Sequence, residues 1–148
     1  MTQAAPPRLP STERSLPIAL IRARERVMAP IRAMLSSSGI TEQQWRVLRV
    51  LSEAGPIDAT ELSDRACLLL PSLTRITRTL ADQGLINRTQ DNTDRRKQTL
   101  TITPEGRALI EDNLEEAARI AAALKELMGQ EDFDQLLRLL SKLDAFKA

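Results

Sequence analysis

Arg75 and Arg78 stand three residues apart in the stretch PSLTRITRTLADQGLINRTQDNTDRRKQTLTITP, residues 71–104, and the run DNTDRRK later in it adds Arg95, Arg96 and Lys97. Guanidinium forks donate in pairs to base edges and phosphates, so the chemistry on offer is recognition of a duplex rather than bond-making. Ser72 and Thr74 place hydroxyls beside them. The chain of 148 residues has no histidine, which removes Ser-His-Asp and Cys-His catalysis and nearly all zinc sites. It also lacks a glycine-rich phosphate loop and a clustered acid pair, so neither an enzyme nor a cofactor nor a metal is expected. Aromatic residues make up 2%, with no tyrosine, too few for the stacking platforms of single-stranded and RNA binders.

These groups need an element to aim them. Leu73, Ile76 and Leu80 recur at helical spacing, and at about 100° per residue they share one face. Arg78 then points directly away from that face, flanked by Thr74 and Arg75. Gly84 is placed to end the helix in a left-handed conformation. Leu85, Asn87 and Thr89 alternate with Ile86, Arg88 and Gln90, and Leu100 and Ile102 alternate with Thr99, Thr101 and Thr103, the period-2 pattern of two half-buried strands around the basic tip. A reading helix followed at once by such a hairpin is a winged helix-turn-helix. Two other readings of the stretch stay open: a helix and hairpin with ordinary solvated charges, and a winged-helix module that docks on proteins without sequence-specific DNA binding.

The elements before it complete the module. Thr41 and Gln44 form a capping box for the helix TEQQWRVLRVLSEA, with Val47, Leu48, Leu51 and Ala54 inward and Trp45 at the edge of that face. Asp58 and Glu61 form another for a short helix of about ten residues, DATELSDRACL, and a turn at Leu69-Leu70-Pro71 leads into the reading helix. Residues 1–13 carry three prolines and no periodicity, which predicts a mobile tail. A helix is expected from Ser15 to Ser36, with Leu20, Val27, Ile31 and Met34 as its apolar stripe and Pro30 kinking or splitting it. Arg24 falls on that stripe, so it needs either an internal carboxylate, a snorkelling stem or an anionic ligand. Arg22, Arg26 and Arg32 are expected in solvent.

After the wing, Thr103-Pro104-Glu105-Gly106 opens a long helix with a hydroxyl cap and proline at its first position. Ile110, Leu114, Ala117, Ala121, Leu124 and Met128 step by 4, 3, 4, 3, 4, a heptad seam, with an ordinary amphipathic helix as the alternative. Gly129 breaks it, and Phe133, Leu136, Leu140 and Leu143 mark a last helix. A small winged domain gives these helices no core to cover, so with Leu20 they are expected to form a two-fold dimer interface. The fold class is mainly α with a small β-hairpin wing (α+β). One domain spans residues 14–148, with dimerisation helices at 14–37 and 104–148 around a DNA-binding part at 41–103.

Net charge is +1, but residues 71–104 hold six Lys/Arg against three Asp/Glu and residues 105–148 six against ten. A basic head on an acidic frame suits docking by one face. The single cysteine, Cys67, cannot form an internal disulfide and is expected as a small buried apolar residue with no redox role. No apolar run reaches 18 residues and the N-terminus lacks a signal-peptide core, so a cytoplasmic protein with no membrane partner is expected.

The order of long helix, helix-turn-helix, wing with Asp94-Arg95-Arg96, then LTITPEGRALI, resembles the MarR family of dimeric bacterial transcriptional regulators over roughly residues 16–147. TEQQWRVLRVL, RACLLLPSLTRI and Arg24-Glu25 resemble its branch of homoprotocatechuate-degradation repressors. The resemblance implies a homodimer on a pseudo-palindromic double-stranded operator, with the reading helix in the major groove. It also implies release by a small phenolic or aromatic acid lodged between dimerisation and DNA-binding parts, hence a repressor of an aromatic-acid catabolic operon. On that pattern Arg96 enters the minor groove with Asp94 holding its guanidinium, and Arg95 and Lys97 contact the backbone. The effector would meet Arg24 through its carboxylate, with Met28 and Trp45 bordering its ring. One branch of the family senses peroxide through a cysteine near the start of the chain, where this sequence has none.

Overall fold

The computed structural model describes residues 4–94 and 96–148. Four of its six helices start on side-chain caps that the sequence marks. Ser15 caps α1 (Leu16–Leu35), Thr41 with Gln44 makes a reciprocal capping box on α2 (Glu42–Ala54), Asp58 caps α3 (Ala59–Ala66), and Thr103 caps α5 (Pro104–Met128). The remaining two are α4 (Leu70–Asp82) and α6 (Gln130–Asp144). Asp58 accepts the Glu61 amide at 2.8 Å, but Glu61 turns to Arg65 rather than back to the cap.

Three short strands, β1 (Ile57–Asp58), β2 (Ile86–Gln90) and β3 (Gln98–Ile102), form an antiparallel sheet in the order β1-β3-β2. Ile86 faces Ile102 and Arg88 faces Leu100 across the wing, while Ile57 pairs with Leu100 on the other side. The hairpin follows the alternation in the sequence; β1, two residues long, carries too little pattern to announce itself.

The core lies inside the winged module. Leu48, Leu51, Leu62, Leu73, Leu80, Ile86 and Leu100 are fully buried, and Leu35 at the end of α1 joins them. Trp45, expected at the edge of the α2 apolar face, is buried in the same cluster. Outside the module burial falls away: α5 buries only Gly106 and Asn113, and α6 buries no residue.

Three expectations are corrected. Pro30 does not split α1, which runs unbroken to Leu35; the carbonyl its missing N–H leaves free belongs to Arg26, on an exposed turn. Cys67 is exposed, not buried, because it closes α3 in a left-handed conformation (φ 52°, ψ 52°) and leaves the core position to Leu68. Arg32 is not simply solvated but bridges Glu25 at 2.7 Å and Glu42 at 3.3 Å. A 3-10 turn at Thr12–Arg14 precedes α1.

Candidate nucleic-acid interface and effector site

Helix α4 is held from behind. Leu73, Ile76, Thr77 and Leu80 are buried, which fixes the rotation of the helix and leaves Thr74, Arg75 and Arg78 exposed on the far side. Among the described residues neither arginine is ion-paired, so both guanidinium forks are available to a ligand. Ser72 is half-buried. The Thr74 hydroxyl donates to the Leu70 carbonyl at 2.9 Å, leaving its oxygen free to accept.

The far end of α4 closes in a Schellman arrangement. The Leu85 amide donates to the Leu80 carbonyl at 2.9 Å and the Gly84 amide to Ala81 at 3.0 Å, with Gly84 at φ 73°. Thr103 then ties this end to α5. Its hydroxyl donates to the Gly84 carbonyl (2.7 Å) and accepts the Gly106 amide (3.0 Å). Gly106 is required by space, since a Cβ there would stand 2.3 Å from the Leu85 carbonyl oxygen.

The wing tip is shaped by its own backbone. The Asp91 amide donates to the Lys97 carbonyl (2.9 Å), and the Lys97 amide to the Asp94 carbonyl (3.0 Å). The Asp91 carboxylate accepts from both the amide and the hydroxyl of Thr93, and these bonds hold its pKa below the ordinary range. Asp94 accepts the backbone amide of Arg96 (3.0 Å) rather than its guanidinium, so it fixes the loop and leaves the Arg96 side chain exposed. Lys97 is exposed as well. Arg95 lies outside the described residues.

At the junction of α1 and α2, Arg24 meets the carboxylate of Glu42, which Arg32 holds from the other side. Arg24 thus has the internal carboxylate that the sequence left as one of three options. The pair shifts both groups: Arg24 lowers the Glu42 pKa chiefly through the hydrogen bond, against the desolvation that raises it, and Glu42 raises that of Arg24. Glu42 is the residue the sequence did not single out, since nothing local reveals that the first turn of α2 crosses α1. Met28 is half-buried on the same helix as Arg24. A second polar link was missed for the same reason: Asn113, buried on α5, donates to the Ser38 hydroxyl at 2.9 Å and pins the loop between α1 and α2.

The expected dimer residues fall in two groups. Leu20, Leu114, Ala121, Leu136, Leu140 and Leu143 are exposed. Ile110 and Ala117 pack against the chain's own core, and Leu124 and Phe133 are half-buried. The heptad seam is therefore not one exposed stripe. Lys125 sits over the Phe133 ring, 5.4 Å from its centroid, across the break at Gly129.

A reading helix with free arginines, oriented by a two-helix lead-in and followed by a basic-tipped hairpin, defines a winged helix-turn-helix protein. Residues 40–97 match the MarR family model. The chain is 40% identical over 133 residues to the HTH-type transcriptional regulator FarR of Neisseria gonorrhoeae, covering 90% of this chain and 91% of that one. It is 38% identical over 134 residues to the homoprotocatechuate degradative operon repressor of Escherichia coli, 88% of each. The crystal structure of NadR in complex with 4-hydroxyphenylacetate superimposes with a TM-score of 0.80 at 38% identity, covering 95% of this chain and 99% of that one. The chain belongs to the MarR family and is a transcriptional regulator, not an enzyme. Among the described residues no helix is long and apolar enough to cross a membrane.

Proposed function

We propose that this protein is a homodimeric, cytoplasmic repressor of an aromatic-acid catabolic operon, released from a pseudo-palindromic operator by a small phenolic or aromatic carboxylate. The observation that carries it is the α4 face, where Arg75 and Arg78 stand exposed and unpaired on a helix locked from behind by Leu73, Ile76 and Leu80. Solvated charges would not need that fixed aim. A protein-docking module would not need two free guanidinium forks beside a basic hairpin. Similarity to a repressor of homoprotocatechuate degradation and to NadR bound to 4-hydroxyphenylacetate supports the effector class.

The carboxylate cluster supplies a route for release. Glu42 has two cationic partners, so an incoming aromatic carboxylate takes Arg24 while Arg32 keeps Glu42 satisfied, and no charge is stranded. Met28, half-buried one turn further along α1, borders the ring, and Trp45, buried in the core, reaches it only when the start of α2 moves. The exchange moves the start of α2 relative to α1, and it induces only if the effector prefers the conformation that cannot span two half-sites. The test is a mobility shift on the protein's own upstream DNA with 4-hydroxyphenylacetate and 3,4-dihydroxyphenylacetate. Release of the wild type, with Arg24→Ala holding the DNA yet deaf to both acids, is expected. Equal affinity of the acids for wild type and Arg24→Ala in titration calorimetry would assign Arg24 to structure alone.

A further inference from the structure

We propose that Leu69 and Leu70 read thymine methyl groups in the major groove, adding an apolar determinant ahead of the arginines; this rests on the duplex-binding reading above. Leu69 is 78% exposed and Leu70 47%, although Leu68 beside them enters the core. Leu70, Thr74 and Arg78 succeed one another at four-residue steps and so form one row along α4, which the Thr74 hydroxyl bond to the Leu70 carbonyl ties together. The apolar end of the row is thus continuous with its cationic end.

Nothing in the fold calls for leucine here. Leu69 occupies the N-cap of α4, where Ser, Thr, Asp or Asn would accept a free amide and where leucine ranks among the poorest choices. Four other helices use such a cap, whereas α4 has no side-chain cap bond. The two leucines line a shallow hollow of about 460 Å³ with Thr60, Asp64, Cys67 and Leu68. Asp64 repels phosphate, so a neutral base edge suits the hollow better than the DNA backbone. The N-terminal residues of a reading helix are the ones that reach base edges, and the C5-methyl of thymine is the apolar group displayed there.

Random-sequence duplexes about two helical turns long are selected on the wild-type protein, and each thymine of the selected site is replaced in turn by deoxyuridine, which deletes only the methyl. At one or two thymines the wild type should bind about fourfold more weakly, the effect of losing one buried methyl. Leu69→Ala or Leu70→Ala, shown to be folded by thermal melting, should no longer distinguish thymine from deoxyuridine there. If every substituted duplex binds the wild type as well as the parent while Arg78→Ala still weakens binding, the leucine assignment is wrong and the duplex-binding reading stands. Methyl-insensitive binding together with self-association that Leu69→Ala abolishes would give the patch to a protein contact instead. Failure to select any duplex overturns both readings.

Discussion

Arg75 and Arg78 differ from Lys97 in what their loss should do. If the α4 arginines make bidentate base contacts, Arg75→Ala or Arg78→Ala should weaken operator binding by about 1–3 kcal/mol and relax base preference. Lys97→Ala on the wing should weaken every duplex alike and lower the salt slope by about one unit. Fluorescence anisotropy across a salt series separates the two behaviours, and unchanged binding in all three variants would mean that α4 does not face DNA. The Glu42 carboxylate offers a separate test. Its pKa is lowered in the folded chain, first by the hydrogen bond from Arg24, so its contribution is fully present above the ordinary glutamate value and is lost as pH falls through the lowered one. Glu42→Gln should therefore cost about 0.5–1 kcal/mol near neutrality, because its arginine partners are half-exposed. In denaturant melts the gap between wild type and variant should close in acid, below the ordinary glutamate range. A gap that widened there would contradict the sign.

Between elements, the strongest link runs from the end of α4 to the start of α5 through one hydroxyl and one glycine. Thr103→Val removes both the cap on Gly106 and the bond to the Gly84 carbonyl, and should cost about 1–2 kcal/mol, with Thr103→Ser restoring most of it. Gly106→Ala should cost about 3 kcal/mol, since its Cβ would press on the Leu85 carbonyl, which is backbone and cannot turn aside. Thermal melts that left Gly106→Ala unchanged would show the junction to be looser than its geometry. These elements were largely legible in the sequence because their signals are local. The caps at Thr41, Asp58 and Thr103, the glycine stop at Gly84 and the period-2 wing each need only a few neighbouring residues. What was illegible mostly depends on how distant segments cross: the meeting of Arg24 with Glu42 and the bond from Asn113 to Ser38. The outward turn of Cys67 is local, a non-glycine residue closing α3 in a left-handed conformation that its residue type does not announce. The proposed DNA-facing residues share a single helix and hairpin, those on α4 named from spacing and those on the wing from the family resemblance, whereas the proposed effector residues come from two crossing helices. The sequence therefore offered Arg24 an unnamed carboxylate as one option among three and left Glu42 out.

At the scale of the whole molecule, the exposed surface is too large for a lone chain. A compact monomer of 148 residues should expose about 7,500 Å², and this one exposes 11347 Å². Large apolar side chains stand exposed along the arms: Leu16, Leu20 and Ile21 on α1, Leu114 and Leu127 on α5, and the leucines of α6. Monomers rarely leave contiguous apolar patches of more than a few hundred Å² in water. A second copy related by a two-fold axis would cover the same surface on both chains, and obligate dimers bury about 2,000–5,000 Å² in total. The excess, about 3,800 Å² per chain, is more than the half-share of such an interface, so a dimer would cover part of it and the projecting tail and arms account for the rest. The acidic tilt of residues 105–148 opposes wholesale self-attraction, so the association must come from these leucines rather than from charge. Because α6 contributes nothing buried to its own chain, Leu140→Glu should leave the winged core folded while shifting the protein to monomers at micromolar concentration. Operator affinity should fall with it, since a two-fold protein reads two half-sites about one helical turn apart and a monomer reads one. Sedimentation giving a stable wild-type monomer at micromolar concentration would falsify the dimer, and a dimeric Leu140→Glu would move the interface off α6 onto α1 and α5.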